Sequence, residues 1–122
     1  MAKFSKKSKV NLASCDFRLQ RLFNEVIKHE DCSILEGHRN QEDQDEAYLK
    51  GFSQVMWPNG KHNKKPSLAV DVVPYPVDWS DIERFIRFGW FVKGLAIGLG
   101  IKIRWGGDWK RFKDYPHFEL VD

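Results

Sequence analysis

The sequence predicts a small α+β domain in which a mainly antiparallel sheet packs against helices. Segments with apolar residues at helical spacing are interspersed with short segments rich in β-branched residues, and no repeating β-α-β pattern orders them. Internal repeats and low-complexity linkers are absent from the sequence. Its 122 residues are 42% hydrophobic and 14% aromatic, which is enough for one core, so we expect a single domain over residues 1–122.

The first half of the chain predicts two helices separated by a strand. After Asp16, which is a suitable N-cap, apolar residues recur at helical spacing at Leu19, Leu22, Phe23, Val26 and Ile27. A short strand is expected at residues 33–36. Asn40 then caps a second helix, which stops at Gly51 and carries an acidic exposed face.

A polar segment at residues 53–67 predicts an irregular loop, because its prolines and glycine interrupt regular structure. Residues 68–73 follow as a short apolar strand. Alternation along that strand places Asp71 on the same face as Ala69 and Val73. A carboxylate on a buried strand is costly unless it is paired or bound to a metal, so Asp71 is a candidate functional residue.

The second half of the chain predicts a long helix between strands. Ser80 and Glu83 form a capping-box pattern at its start, and the helix is expected to end near Gly98 or Gly100. Residues 101–105 alternate as a strand. A final strand is expected at residues 117–120.

Charge and targeting signals exclude some classes of protein. Twenty Lys and Arg against seventeen Asp and Glu give a net charge of +3, which is small, and no nucleic-acid recognition motif accompanies it. The basic N-terminus is not followed by an apolar segment, so neither a signal peptide nor a membrane span is expected. Cys15 and Cys32 have no metal-binding spacing, and we expect free thiols.

Three residues suit a zinc site. His62 lies in the polar loop, Asp71 interrupts a strand, and His117 begins the final strand with Glu119 on the same face. Two imidazoles and one carboxylate, with a fourth position for water, are typical of catalytic zinc. Spacing alone does not bring His62 and His117 together, so separate structural roles for these residues remain an alternative.

Several motifs resemble the zinc D-Ala-D-Ala carboxypeptidase/VanY family, peptidase family M15, and most closely its phage endolysins that are L-alanyl-D-glutamate peptidases. The motifs are Lys61-His62, Ser67-Leu68-Ala69-Val70-Asp71 and Asp114-Tyr115-Pro116-His117-Phe118-Glu119-Leu120. The likeness extends to Phe4-Ser5-Lys6-Lys7-Ser8, Gly37-His38-Arg39, Gln44, Gly51 and Trp105-Gly106-Gly107-Asp108-Trp109. It covers nearly the whole chain and implies a small α+β fold with the zinc site at its antiparallel sheet.

The resemblance implies a role for each matching residue. His62, Asp71 and His117 would bind one zinc ion. Asp114 would be the general base, although many relatives have glutamate there. Arg39 would bind the scissile carbonyl oxygen or a substrate carboxylate; a surface ion pair with the acidic second helix is the alternative for this arginine.

Two further residues complete the expected site. Gln44 is expected to bind substrate, and Glu119 to orient the imidazole of His117. The chain also departs from the common family motif. Gly60 stands where relatives have serine, and the connection between His62 and the acidic ligand is two residues longer.

The resemblance implies a phage or prophage endolysin that hydrolyses the L-Ala-D-Glu bond of the peptidoglycan stem peptide with zinc. Alternatives are a D-Ala-D-Ala carboxypeptidase or dipeptidase of the same family, and a non-catalytic wall-binding module. We expect a monomer made in the host cytoplasm without a signal peptide. It would reach the cell wall after release, with delivery of the holin type.

Overall fold

The computed structural model describes residues 2–121 and contains four α-helices and four strands within them. The helices are α1 (Lys6–Ala13), α2 (Phe17–Val26), α3 (Gln41–Leu49) and α4 (Ile82–Leu99). The strands are β1 (Cys32–Glu36), β2 (Ala69–Pro74), β3 (Ile103–Trp105) and β4 (His117–Leu120). Single turns of 3₁₀ helix lie at Lys61–Asn63 and Gly106–Asp108.

The four strands form one sheet in the order β1-β2-β4-β3, and all neighbouring pairs are antiparallel. The predicted α+β class is therefore confirmed. The bounds of β4 are those predicted, and β1 and β2 differ from the prediction by one residue. β3 begins at Ile103 rather than at residue 101, because the Ile101 N–H donates to the Ala96 carbonyl and closes the end of α4 (2.9 Å).

The core lies between one face of the sheet and helices α2 and α4. Phe118 on β4 is fully buried at its centre. Its ring contacts Phe23 of α2 edge-on at 5.5 Å, Phe88 of α4 at 6.2 Å and stacks near Trp105 of β3 at 6.4 Å. Because side chains alternate along a strand, burying Phe118 directs its neighbours His117 and Glu119 to the opposite face.

Two of the three N-cap residues predicted from the sequence are confirmed. Asp16 accepts a hydrogen bond from the Arg18 N–H, and Asn40 accepts one from the Asp43 N–H, both at 2.9 Å. The cap of α4 is Asp81, so the predicted capping box at Ser80 is wrong. The Ser80 hydroxyl instead donates to Asp78 at 2.6 Å.

Helix α1 was not predicted from the sequence, because its apolar pattern is weak. Apart from Leu12, its buried side chain is Ser8, whose hydroxyl accepts a hydrogen bond from the Ile34 N–H of β1 at 3.0 Å. Ser5 caps this helix by accepting from the Ser8 N–H. The polar Ser8 thus makes the contact between α1 and the sheet. A search for apolar residues at helical spacing does not detect such a contact.

Both cysteines are free, as predicted, and both are buried. Burial raises the pKa of the Cys15 and Cys32 thiols to about 12, so both remain protonated at neutral pH. No helix among residues 2–121 has the length and apolar character of a membrane span.

Trp105 packs tightly between two glycines. A Cβ atom added at Gly89 of α4 would lie 2.3 Å from the indole, and one added at Gly107 would lie 2.2 Å from it. The indole N–H donates to the Tyr115 carbonyl at 2.7 Å, two residues before His117. The contact therefore joins α4 to the segment that leads into β4.

We predict that Gly89→Ala destabilises the fold by about 1–3 kcal/mol, because its methyl group overpacks the indole of Trp105. Gly94→Ala on the same helix is the control. It meets nothing within 4 Å and should stabilise the helix by about 0.5–1 kcal/mol. Urea unfolding followed by far-UV circular dichroism measures both; equal stability of the two variants would contradict the prediction.

Candidate metal centre and cleft

The pairing of β2 with β4 places Asp71 directly opposite His117. The 3₁₀ turn Lys61–Asn63 brings His62 to the same place. Asp71 Oδ1 lies 3.3 Å from His62 Nε2 and 3.4 Å from His117 Nδ1. One potential ligand atom from each residue lies within 4.8 Å of the others. The structure thus brings together the three residues that the sequence predicts as metal ligands.

Among residues 2–121, two buried atoms of this cluster, His62 Nε2 and Asp71 Oδ1, have no hydrogen-bond partner. Burying an unsatisfied polar atom costs about 1–3 kcal/mol, so such atoms indicate a missing partner. The donor set of two imidazole nitrogens and one carboxylate oxygen suits zinc with an open fourth position. A divalent cation would satisfy both atoms at once.

The other nitrogen of each imidazole is already engaged. His62 Nδ1 lies 2.8 Å from the Gly37 carbonyl, and His117 Nε2 lies 2.7 Å from Glu119 Oε1. When these nitrogens donate to their oxygen partners, the lone pairs of His62 Nε2 and His117 Nδ1 point into the cluster. Glu119 therefore makes the contact with His117 that was expected of it.

The charges of the cluster favour a cation at its centre. Burial raises the pKa of Asp71, but the adjacent His62 and His117 outweigh it and hold this pKa well below its usual range. Burial lowers the pKa of His117, but the adjacent carboxylates of Asp71 and Glu119 raise it to about 9. A proton therefore occupies the cluster at neutral pH when no metal does, and a bound metal would replace it.

Asp114 lies in the cleft beside this cluster, in the segment before β4. Its N–H donates to the Gly106 carbonyl and its carbonyl accepts from the His117 N–H, both at 3.1 Å. A Cβ at Gly106 would lie 2.2 Å from the Asp114 carbonyl oxygen, so glycine is required for this approach. Burial, followed by the negative charge of Asp71, raises the pKa of Asp114, as suits a group that exchanges protons.

Arg39 lines the same cleft, and the expected alternative of a pair with the acidic helix α3 is wrong. Its ion pair is with Glu36 of β1: Nε donates to Glu36 Oε1 at 2.7 Å, and Nη2 donates to the same oxygen. Nη1 donates to Gln44 at 3.0 Å, and Nη2 lies 3.8 Å from Asp71 Oδ2. The guanidinium is therefore held beside the candidate metal ligands.

Gln44, expected to bind substrate, is instead 1% exposed and fully hydrogen-bonded within the protein. Its Oε1 accepts from Arg39 and from Asn63, each at 3.0 Å. Its Nε2 donates to the Ser53 hydroxyl at 2.9 Å and to the Val55 carbonyl at 2.6 Å. This leaves its amide no free group for a substrate.

The cleft wall contains residues that the sequence analysis did not assign. Trp109 lies with its ring centre 5.1 Å from that of His117. Arg111 and Lys113 line the cleft with Lys61 and Arg39, so its cationic side chains outnumber its acidic ones. Arg111 and Lys113 lie within three residues of Asp114 in the sequence, and this proximity was the signal that could have identified them. Such a lining attracts an acidic ligand.

Comparisons with known proteins agree with this geometry. The family model for phage L-alanyl-D-glutamate peptidase matches residues 1–121. The chain is similar to peptidoglycan L-alanyl-D-glutamate endopeptidase CwlK of Bacillus subtilis, with 37% identity over 106 residues, 75% of this chain and 61% of CwlK. It is 31% identical to the L-alanyl-D-glutamate peptidase of Escherichia phage T5 over 123 residues, 97% of this chain and 88% of that protein. The chain thus spans less than two thirds of CwlK.

Two solved structures are similar. The Serratia marcescens L-Ala D-Glu endopeptidase ChiX superposes with a TM-score of 0.83 at 30% identity, covering 98% of this chain and 91% of ChiX. The D,D-pentapeptidase VanY in complex with Zn(II) superposes with a TM-score of 0.58 at 14% identity, covering 88% and 73%. At that identity, the likeness to VanY concerns the fold alone.

We predict that Glu119→Gln weakens zinc binding about tenfold or more, because a neutral amide orients and polarises the His117 imidazole less than a carboxylate does. Competition against a chromophoric zinc chelator measures the affinity. Glu83→Gln, an exposed acid in the first turn of α4, is the matched control and should bind zinc as the unmodified protein does. Equal affinity in both variants would rule out this role for Glu119.

Proposed function

Because this chain belongs to the phage L-alanyl-D-glutamate peptidase family, we propose that it is a zinc peptidase that hydrolyses the L-Ala-D-Glu bond of the peptidoglycan stem peptide. One observation carries the proposal: one ligand atom from each of His62, Asp71 and His117 converges on one point beside Asp114 in a cleft, and those of His62 and Asp71 are buried without a hydrogen-bond partner. The cationic lining of the cleft supports an acidic peptide as substrate.

His62 Nε2, Asp71 Oδ1 and His117 Nδ1 would hold one zinc ion. Zinc bound there would polarise the scissile carbonyl and lower the pKa of a coordinated water toward neutrality. Gly37 and Glu119 keep the two imidazoles in the tautomers that this ligation needs.

Asp114 is the proposed general base. It would take a proton from the attacking water and deliver it to the leaving amine. Its raised pKa supports both steps, because a carboxyl group nearer the operating pH gives and takes protons more evenly. The hydrogen bonds that its main chain makes to Gly106 and His117 fix the backbone of Asp114 relative to the proposed ligand His117.

Arg39 is proposed to bind the scissile carbonyl oxygen or a substrate carboxylate. A guanidinium has five N–H groups, and three of those on Arg39 donate to Glu36 and Gln44, which leaves two for a substrate. Its permanent charge would stabilise the negative charge that develops on the carbonyl oxygen.

The proposal also covers the oligomeric state, the place of action and the delivery of the protein. We propose a monomeric single domain over residues 1–122 that acts on the cell wall. Delivery of the holin type stays a prediction. The family alternatives, a D-Ala-D-Ala carboxypeptidase or a wall-binding module, are distinguished by experiment.

We predict that the zinc-loaded protein releases peptides with new D-Glu amino ends and leaves new L-Ala carboxyl ends on purified peptidoglycan. Mass spectrometry of the digest identifies these ends. Release of D-Ala alone would assign a carboxypeptidase instead. An unchanged digest would leave the wall-binding alternative.

We predict that Asp114→Asn lowers peptide hydrolysis by about 10²-fold or more, because an amide accepts no proton from water, while zinc stays bound. Asp45→Asn, an exposed change on α3, is the control and should retain activity. In contrast, His62→Ala, Asp71→Ala and His117→Ala should each lose the metal, as elemental analysis measures. Near-normal hydrolysis by Asp114→Asn would exclude it as the base.

A further inference from the structure

Two amide side chains form a buried pair at the cleft, which Gln44 lines. Gln44 of α3 is 1% exposed, and Asn63 of the 3₁₀ turn is 7% exposed. Asn63 Nδ2 donates to Gln44 Oε1 at 3.0 Å. Two buried amides in contact are costly unless all their polar groups are paired, so their partners indicate what the pair does.

Gln44 connects Arg39 to one wall of the cleft. Its Oε1 accepts from the Arg39 guanidinium, and its Nε2 donates to Ser53 and to the Val55 carbonyl. Ser53 and Val55 line the cleft. One side chain therefore fixes both the guanidinium and the wall next to it.

Asn63 connects Arg39 to the turn that carries His62. Its Nδ2 also donates to the Arg39 carbonyl at 3.1 Å, and its Oδ1 accepts from the Gly60 N–H at 2.9 Å. The Arg39 N–H in turn donates to the His62 carbonyl at 2.7 Å. The main chains of the arginine and of the metal ligand are therefore bound directly to each other.

The pair also accounts for glycine at position 60. A Cβ there would lie 2.7 Å from Asn63 Oδ1 and 3.6 Å from Gln44 Oε1. The Asn63 amide thus occupies the space that a side chain at position 60 would need. A larger residue at this position would have to displace a fully hydrogen-bonded group.

We propose that Gln44 and Asn63 are positioning residues that hold Arg39 and His62 in one rigid unit. Neither amide has a free hydrogen-bonding group, so neither binds the substrate itself. Gln44 acts on the reaction through the Arg39 guanidinium, whose remaining N–H groups it aims into the cleft. This inference rests on the proposed peptidase function and adds the groups that orient its arginine.

The test for Gln44 is a double-mutant cycle with Arg39. Gln44→Met keeps the volume and removes the hydrogen bonds; it should lower kcat about tenfold or more while zinc affinity stays unchanged. In an Arg39→Met background the same change should cost about threefold or less, because its effect passes through the arginine. Losses that multiply in the double variant would overturn the proposal.

Two variants sharpen this cycle. Gln44→Glu keeps an acceptor for Arg39 and should retain more activity than Gln44→Met. Gln41→Met, an exposed change on the same helix, is the matched control and should change neither kcat nor zinc affinity. Should Gln44→Met fail to fold, Gln44→Glu carries the same cycle, in which a full loss independent of Arg39 would count against the proposal.

A readout without substrate separates this proposal from the proposed function. ¹⁵N relaxation of the Arg39 guanidinium should report restricted motion in the unmodified protein and in Gln41→Met, and faster motion in Gln44→Met. Unchanged motion in Gln44→Met would overturn the positioning role. Failure of the unmodified protein to cleave the stem peptide would instead overturn the proposed function, while this measurement still decides whether Gln44 positions Arg39.

Discussion

The antiparallel register between β2 and β4 is the constraint on which the site depends. It sets Asp71 opposite His117, while Val70 and Phe118, their neighbours along each strand, face the core. A slip of one residue would exchange the two faces, burying both polar groups in the core and exposing the aromatic ring. The hydrophobic contacts of Phe118 therefore stabilise the arrangement of the candidate metal ligands as well as the fold.

The polar groups around the candidate metal centre are paired, whereas two atoms at its centre are not. Glu119 and the Gly37 carbonyl engage the outer nitrogens of the imidazoles, and Glu119 lies 3.5 Å from Lys61 and 3.7 Å from Arg104. The atoms left unpartnered are those that point inward. A fold that satisfies all of a buried cluster except its centre is preorganised for a cation there.

Local patterns predicted much of this structure, and long-range contacts account for what they missed. Asp16 and Asn40 act on their own helices, so their capping was visible in sequence. Helix α1 was missed because Ser8 is buried by a hydrogen bond to a distant strand. Tertiary packing brings His62 to His117, 55 positions away in the sequence, and turns Gln44 inward. The family resemblance anticipated the meeting of the two histidines, but Gln44 was expected to bind substrate.

The contact of Trp105 with Gly89 and Gly107 restricts how this sequence can evolve. A side chain larger than hydrogen at either glycine is destabilising unless the tryptophan is replaced by a smaller residue, and that replacement alone leaves a cavity. Drift at these three positions would therefore proceed through paired changes rather than single ones. Since the indole N–H also donates to the Tyr115 carbonyl, replacing the tryptophan would also remove a hydrogen bond from the segment between Asp114 and His117.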